Sequence, residues 1–183
     1  MKELEQKSDE ELAGMVQQNK LDAFEILVQR YEKKLSRYAK KFIFNHQNIE
    51  DAVQEVFIKA YENMQSFNTS KKFSSWIYRI AHNHFINIIK KKKPFLFFDP
   101  DVIFTFSSKS DVEEDVMEIE EKEEIEKCLD RLDFKYKEVV VLYYFEDKSY
   151  EEISDILTIP VSTVGVRLRR ARKKVKDIYG KRK

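Results

Sequence analysis

This sequence predicts an all-α fold built as two small helical domains joined by a linker. Only three Gly and three Pro occur in 183 residues, while 37% of residues are charged and 42% hydrophobic. Few breakers and many charges favour amphipathic helices with solvated outer faces and a core of ordinary size. Helix-start patterns recur at Ser8, Asp22 and Ser149. One tract rich in aromatics, serines and proline interrupts the helical spacing and separates the two halves.

Ser8-Asp9-Glu10-Glu11 reads as a capping box, in which Ser8 caps the helix and Glu11 reaches back; a short helix through Val16 follows. Asp22-Ala23-Phe24-Glu25 repeats the pattern, with Leu21 and Ile26 spaced as a hydrophobic staple. The helix it opens carries Phe24, Leu27, Val28, Tyr31, Leu35, Tyr38 and Phe42 at helical spacing. Asn48 is placed to cap a third helix that runs to about Met64. Ser66 to Lys72 is polar and breaks the pattern. A fourth helix runs from Phe73 to about Lys92, with Ile77, Ile80, Ala81, Phe85, Ile88 and Ile89 inward, and Pro94 stops it. Phe95 to Ser110 reads as a linker, although Phe95, Phe97, Phe98, Phe104 and Phe106 are apolar enough to dock on something. Val116, Ile119, Ile125, Leu129 and Leu132 then mark a helix that is acidic on its other face. Tyr136 to Phe145 forms another. Ser149 to Glu152 is a capping box that opens a helix-turn-helix: Tyr150 to Leu157, a turn at Thr158-Ile159-Pro160, and a second helix from Val161.

Net charge is +1, but it is segregated. Asp111 to Glu126 is acidic, and Lys90 to Lys93 and Arg167 to Lys183 are basic. That distribution, more than the total, is the footprint of a polyanionic partner. Cys128 is the only cysteine, so no internal disulfide forms, in keeping with a reducing cytoplasm. No apolar run approaches the roughly 20 residues of a membrane helix, so no membrane insertion is expected.

Three constellations carry chemistry. On the third helix, at about 100° per residue, Val53, Val56, Phe57, Ala60, Tyr61 and Met64 share one side. Asp51, Gln54, Glu55, Ile58 and Glu62 share the other, as a solvated face or a docking face for a basic partner. The fourth helix mixes Trp76, Tyr78 and Phe85 with Arg79, His82, Asn83, His84, Asn87 and the lysines. Aromatics beside cations and amides suit single-stranded nucleic acid; core packing with a solubilising basic end is the plainer alternative. In the last helix, Val164, Leu168, Ala171 and Val175 point inward. Ser162, Thr163, Val166, Arg167, Arg169 and Arg170 are left on or near the outer side, where Arg can fork onto guanine and hydroxyls can reach phosphate or base. His82 and His84, at i and i+2, point about 200° apart and cannot share an ion, and no other metal set exists. No P-loop and no nucleophilic triad is present, so no enzyme, cofactor or small-molecule substrate is expected.

Taken in order, these segments resemble the bacterial sigma factors of the extracytoplasmic-function subgroup. Ile49 to Tyr61 (IEDAVQEVFIKAY) is similar to the family's core-polymerase-docking segment. Phe73 to Asn83 (FSSWIYRIAHN) is similar to its promoter-melting and minus-ten segment. Tyr136 to Leu142, Val161 to Val164 and Arg167 to Ala171 are similar to its minus-thirty-five reader. The resemblance covers nearly the whole chain apart from the linker.

It implies a subunit that binds core RNA polymerase, finds a promoter and helps to open it. The implied domains are residues 1–94 for polymerase docking and the minus-ten element, a linker at 95–115, and residues 116–183 for the minus-thirty-five element. By the resemblance, Asp51, Gln54, Glu55 and Ile58 contact polymerase. Asn68, Lys71, Lys72, Ser74, Trp76, Arg79 and Asn83 hold minus-ten DNA. Ser162, Thr163, Gly165, Val166, Arg167, Arg169 and Arg170 meet minus-thirty-five DNA. An anti-sigma partner and a cytoplasmic location are also implied. Two departures stand out. His82 occupies a position usually held by Arg, and Gly165-Val166 replace residues that usually help to read the upstream element. Close backbone approach to DNA is one reading of Gly165. The acidic stretch from Asp111 to Glu126 could shield the basic C-terminal surface, or simply be a solvated face. A free-standing helix-turn-helix regulator is the alternative function; it would need neither the Asp51/Gln54/Glu55 face nor the aromatic-basic helix.

Overall fold

The structure, a computed structural model, describes residues 2–43, 46–92 and 128–180; all of its regular structure is helical. The elements are α1 (Lys2–Glu5), α2 (Asp9–Gln17), α3 (Leu21–Lys40), α4 (His46–Glu62), a 3-10 turn (Met64–Ser66) and α5 (Phe73–Lys92). The C-terminal half adds α6 (Phe134–Val140), a wider π-type continuation (Val141–Phe145), α7 (Tyr150–Leu157) and α8 (Val161–Gly180). The linker, the acidic segment, Lys93 and the start of the helix expected from Val116 lie outside the described residues.

Both outer capping boxes form with the bonds the sequence calls for. Ser8 Oγ accepts from the Glu11 N–H, and the Ser8 N–H donates to Glu11 Oε2 at 2.8 Å. Ser149 and Glu152 repeat this, with the Ser149 N–H donating to Glu152 Oε2 at 2.9 Å. The expected cap at Asp22 does not form. α3 starts two residues earlier, behind Lys20, whose side chain makes no capping bond. Asp22 lies in the first turn, where its charge complements the helix dipole. Leu21 is 58% exposed, so it makes no staple with the buried Ile26. α4 likewise begins at His46, which puts Asn48 inside the helix and not at its cap.

Successive helices pack as neighbours. α3 runs against α2 and α4, α4 against α5, and α8 against α6 and α7. Leu12, Leu27, Leu35, Tyr38, Val56, Ile77 and Phe85 fill the N-terminal core, with each side chain at most 1% exposed. Leu142, Ile153, Ile156, Val164 and Leu168 fill the C-terminal core. α5 also packs against α7, so the two halves share one continuous apolar cluster. Phe42 meets Phe134 across that junction with ring centroids 5.8 Å apart.

α7 ends at Thr158, which takes the left-handed conformation (φ 55°). Ser154 holds the following turn from both ends: its carbonyl accepts from the Ile159 N–H, and its hydroxyl donates to the Ile159 carbonyl at 2.6 Å. The Pro160 carbonyl then accepts from the N–H groups of Thr163 and Val164, launching α8.

Candidate nucleic-acid and polymerase interfaces

α4 buries Ala52, Val53, Val56 and Ala60. The same helical period leaves Asp51, Gln54, Glu55 and Ile58 exposed on the opposite side. Ile58 is 52% exposed, an apolar spot within an acidic and amide-bearing face. Glu55 pairs with Lys59 one turn on, at 3.2 Å. Tyr61, expected inside with Val53 and Phe57, is instead 46% exposed. Its ring leans on Phe24, 5.2 Å away, because the N-terminal end of α3 covers only one of its faces.

Between α4 and α5 the chain makes a tight polar loop. Asn68 Oδ1 accepts from both the N–H and the hydroxyl of Ser70, at 2.9 and 2.7 Å. Two residues of α2 hold this loop, and sequence reasoning passed over both. Gln17 Nε2 donates to the carbonyls of Met64 and Phe67, at 2.9 and 2.8 Å. Glu10 Oε1 accepts the first N–H of α5, from Phe73, at 2.9 Å. Each partner lies about 50 or more positions away in the chain, and no local pattern marks such a bond.

A groove of ≈ 750 Å³ opens beside this loop. Asn68, Lys71, Lys72, Trp76, Arg79 and Asn83 all line it, so six of the seven residues expected at minus-ten DNA converge there. Ser74 does not line it and Ser75 does. Ser75 is 4% exposed, and its hydroxyl has no hydrogen-bond partner. Lys59, Asn87 and His84 extend the wall. Burial, then the nearby Lys59 charge, pushes the His84 imidazole below its ordinary pKa, so it is neutral at pH 7. Trp76 is half-buried and stacks on Phe67 and Phe73, with centroids at 5.0 and 5.5 Å. It is therefore both a core ring and a groove wall.

His82, where the resemblance implies an Arg, turns inward and is 7% exposed. Its Nδ1 shares a 2.8 Å hydrogen bond with the Tyr38 hydroxyl, and its Nε2 lies 3.5 Å from Glu138 Oε2. Burial raises the Tyr38 pKa well above its ordinary value, so the phenol keeps its proton. His82 thereby makes a contact between the two halves.

On α8, Ser162, Val166, Arg169 and Arg170 are exposed, while Thr163, Gly165 and Arg167 are half-buried. Val164, Leu168 and Ala171 anchor the opposite side. Arg167 is engaged: its Nη1 donates to Glu138 Oε1 at 2.5 Å. Arg172 donates from Nε to the Tyr144 hydroxyl at 2.7 Å. Gly165 faces the supporting helix, and a Cβ there would stand 3.5 Å from the Tyr150 ring. Among the described residues no group of His, Cys, Asp or Glu is arranged to hold a metal ion, and no helix is long and apolar enough to cross a membrane.

A helix-turn-helix with an arginine-bearing second helix, joined to a helical domain with an amide-rich basic groove, defines a DNA-binding protein of the transcription machinery. Comparison with known proteins narrows the class. Residues 27–95 match the Sigma-70 region 2 family and residues 122–175 match Sigma-70, region 4. The chain is 38% identical over 160 residues to the ECF RNA polymerase sigma factor SigW of Bacillus subtilis, covering 82% of this chain and 86% of that one. It is 32% identical over 180 residues to the ECF RNA polymerase sigma-E factor of Escherichia coli K12, covering 93% and 94%. Among solved structures, CnrH in complex with the cytosolic domain of CnrY superposes with a TM-score of 0.74 at 24% identity, over 95% of this chain and 98% of that one. The Bartonella quintana sigma factor RpoE, bound to the anti-sigma factor NepR, gives 0.69 at 20% identity, over 86% and 96%. The chain belongs to the extracytoplasmic-function sigma factors, the subunits that direct core RNA polymerase to promoters and start transcription.

Proposed function

We propose that three surfaces divide the work of this sigma factor. The outer face of α4, with Asp51, Gln54, Glu55 and Ile58, grips core RNA polymerase. The groove between the 67–72 loop and α5 receives a separated strand of the minus-ten element. Trp76 supplies a stacking surface, Asn68 and Asn83 supply amides for a base edge, and Lys71, Lys72 and Arg79 meet phosphate. Extruding a base costs a few kcal/mol, which a stacked and hydrogen-bonded pocket offsets. The exposed edge of α8 enters the major groove of the minus-thirty-five element, with Arg169 and Arg170 outermost, and Arg167 joins when it leaves Glu138. The working domains are residues 1–94 and 116–183, with 95–115 between them. A protein inhibitor of the anti-sigma kind and a site of action inside the cell follow from the kinship.

The observation that carries this reading is the exposure of all four α4 residues on a helix whose other side is core. A free-standing regulator has no use for that face. The test is retention of the purified chain on core RNA polymerase and appearance of a defined start site. Asp51→Lys with Glu55→Lys should abolish retention and shift the melting temperature little, because both residues are exposed. Retention equal to that of the wild type would sink the docking assignment.

A further inference from the structure

Three glutamates of the C-terminal half reach across to the N-terminal half. Glu146, 6% exposed, accepts from the Tyr78 hydroxyl at 2.5 Å and from Arg37 at 3.2 and 3.3 Å. Glu152 accepts from Lys72 Nζ at 3.1 Å. Burial pushes the Glu152 carboxyl up, but the Ser149 N–H and then Lys72 outweigh that and hold it below its ordinary pKa. Glu138 spans Arg167 on one oxygen and faces His82 on the other. Asp155 of α7 stands on the wall of the same groove as Lys71, Lys72 and Trp76.

We propose that the free chain inhibits itself, with α7 as a lid over the minus-ten groove and Glu146, Glu138 and Glu152 as the latch. This rests on the groove being the single-strand site. Glu152 neutralises the Lys72 ammonium and sets a carboxylate beside it, so a DNA phosphate must compete with that carboxylate, and a closed lid and a bound strand disfavour each other. Asp155 adds a second negative charge where a phosphate backbone would run. Arg167 is held by the same Glu138 that faces His82, so upstream DNA and the latch compete for one guanidinium. When DNA takes Arg167, Glu138 stays buried without its guanidinium partner, a poor environment for a carboxylate that favours opening. Upstream binding and exposure of the groove are thereby linked, and the linkage is reciprocal. Ser75 fits the same scheme. It lies three residues before Tyr78 and seven before His82, on the α5 face turned to the C-terminal half. Its unpaired hydroxyl is an uncompensated cost of the closed state, and opening would relieve it.

The test uses the full chain carrying Glu146→Gln and Glu152→Gln. Gln at 152 preserves the capping box. Two quantities are read: the radius of gyration by small-angle scattering, and affinity for a short fluorescent single-stranded DNA of randomised sequence by anisotropy. The radius should rise, and affinity should rise about tenfold or more, within the usual range of coupling between two sites. An unchanged radius overturns the latch; a larger radius without gain in affinity overturns the lid. If the double variant melts early, Tyr78→Phe removes the shortest latch bond, retains the ring, and is judged in the same two assays. Start-site selection by core RNA polymerase with the wild-type chain separates the two claims. A defined start site with no affinity gain in the variants sinks the lid alone, whereas no start site sinks the reading of the groove.

Discussion

Gly165→Ala should make this protein more stable, and the reasoning can be followed atom by atom. Gly165 is the fifth residue of α8, with no positive φ that would require glycine. A Cβ added there meets the Tyr150 ring at 3.5 Å and 4.0 Å, which is ordinary van der Waals contact, and nothing closer. No repacking is needed. The change therefore removes glycine's penalty in a helix, worth about 1 kcal/mol relative to Ala and partly an unfolded-state entropy effect. For a chain of this size, about 1 kcal/mol corresponds to roughly 2–4 °C in melting temperature. Differential scanning calorimetry or circular dichroism melting checks it. A fall in melting temperature would refute the argument, because it would mean that the α7–α8 contact has no room for a methyl group. Since the added group points at Tyr150, affinity for minus-thirty-five duplex should stay within about twofold, less than the usual effect of losing a DNA contact. A large loss would revive close backbone approach to DNA as the reason for the glycine.

Gln17→Ala should cost about 1–3 kcal/mol, because it removes both Gln17 Nε2 bonds and strands the Phe67 carbonyl, while the Met64 carbonyl keeps the Phe67 N–H. It should also weaken single-strand binding without touching the groove; unchanged melting and binding would show that water replaces the amide. Thr158→Gly should stabilise by up to about 1 kcal/mol, since a β-branched residue at φ 55° is strained and glycine is not; thermal melting reads it, and a loss would contradict the strain. Lowering the pH should weaken both capping boxes. Glu11 and Glu152 are held below their ordinary value of 4.5, so their contribution is complete above that pH and disappears as pH falls through the lower folded values. Ser8→Ala with Ser149→Ala should flatten that acid-side slope in melting temperature, and an identical slope would place the effect elsewhere.

Local chemistry was legible because its partners are neighbours in the chain. Ser8 with Glu11 and Ser149 with Glu152 each span three residues, and both boxes form. α5 covers Phe73 to Lys92 as the periodicity predicts, while the stop expected at Pro94 lies outside the described residues. The α4 wheel separates buried from exposed residues, except that Tyr61 falls outside because the N-terminal end of α3 covers only one face of its ring. The staple at Leu21 failed for a related reason: a spacing can place two side chains on one helix face, but it cannot supply the neighbour that covers them.

What the sequence by itself determined was the set of helices, the chemistry of their faces and the kinship with sigma factors, since each depends on residues a few positions apart. Tertiary structure alone decided where those faces went. It turned His82 inward to Tyr38 and Glu138, gave Arg167 a carboxylate instead of solvent, and set Glu152 against Lys72 from 80 positions away. Contacts of that kind depend on how helices stack, and stacking is governed by the whole apolar cluster and not by any one stretch of chain.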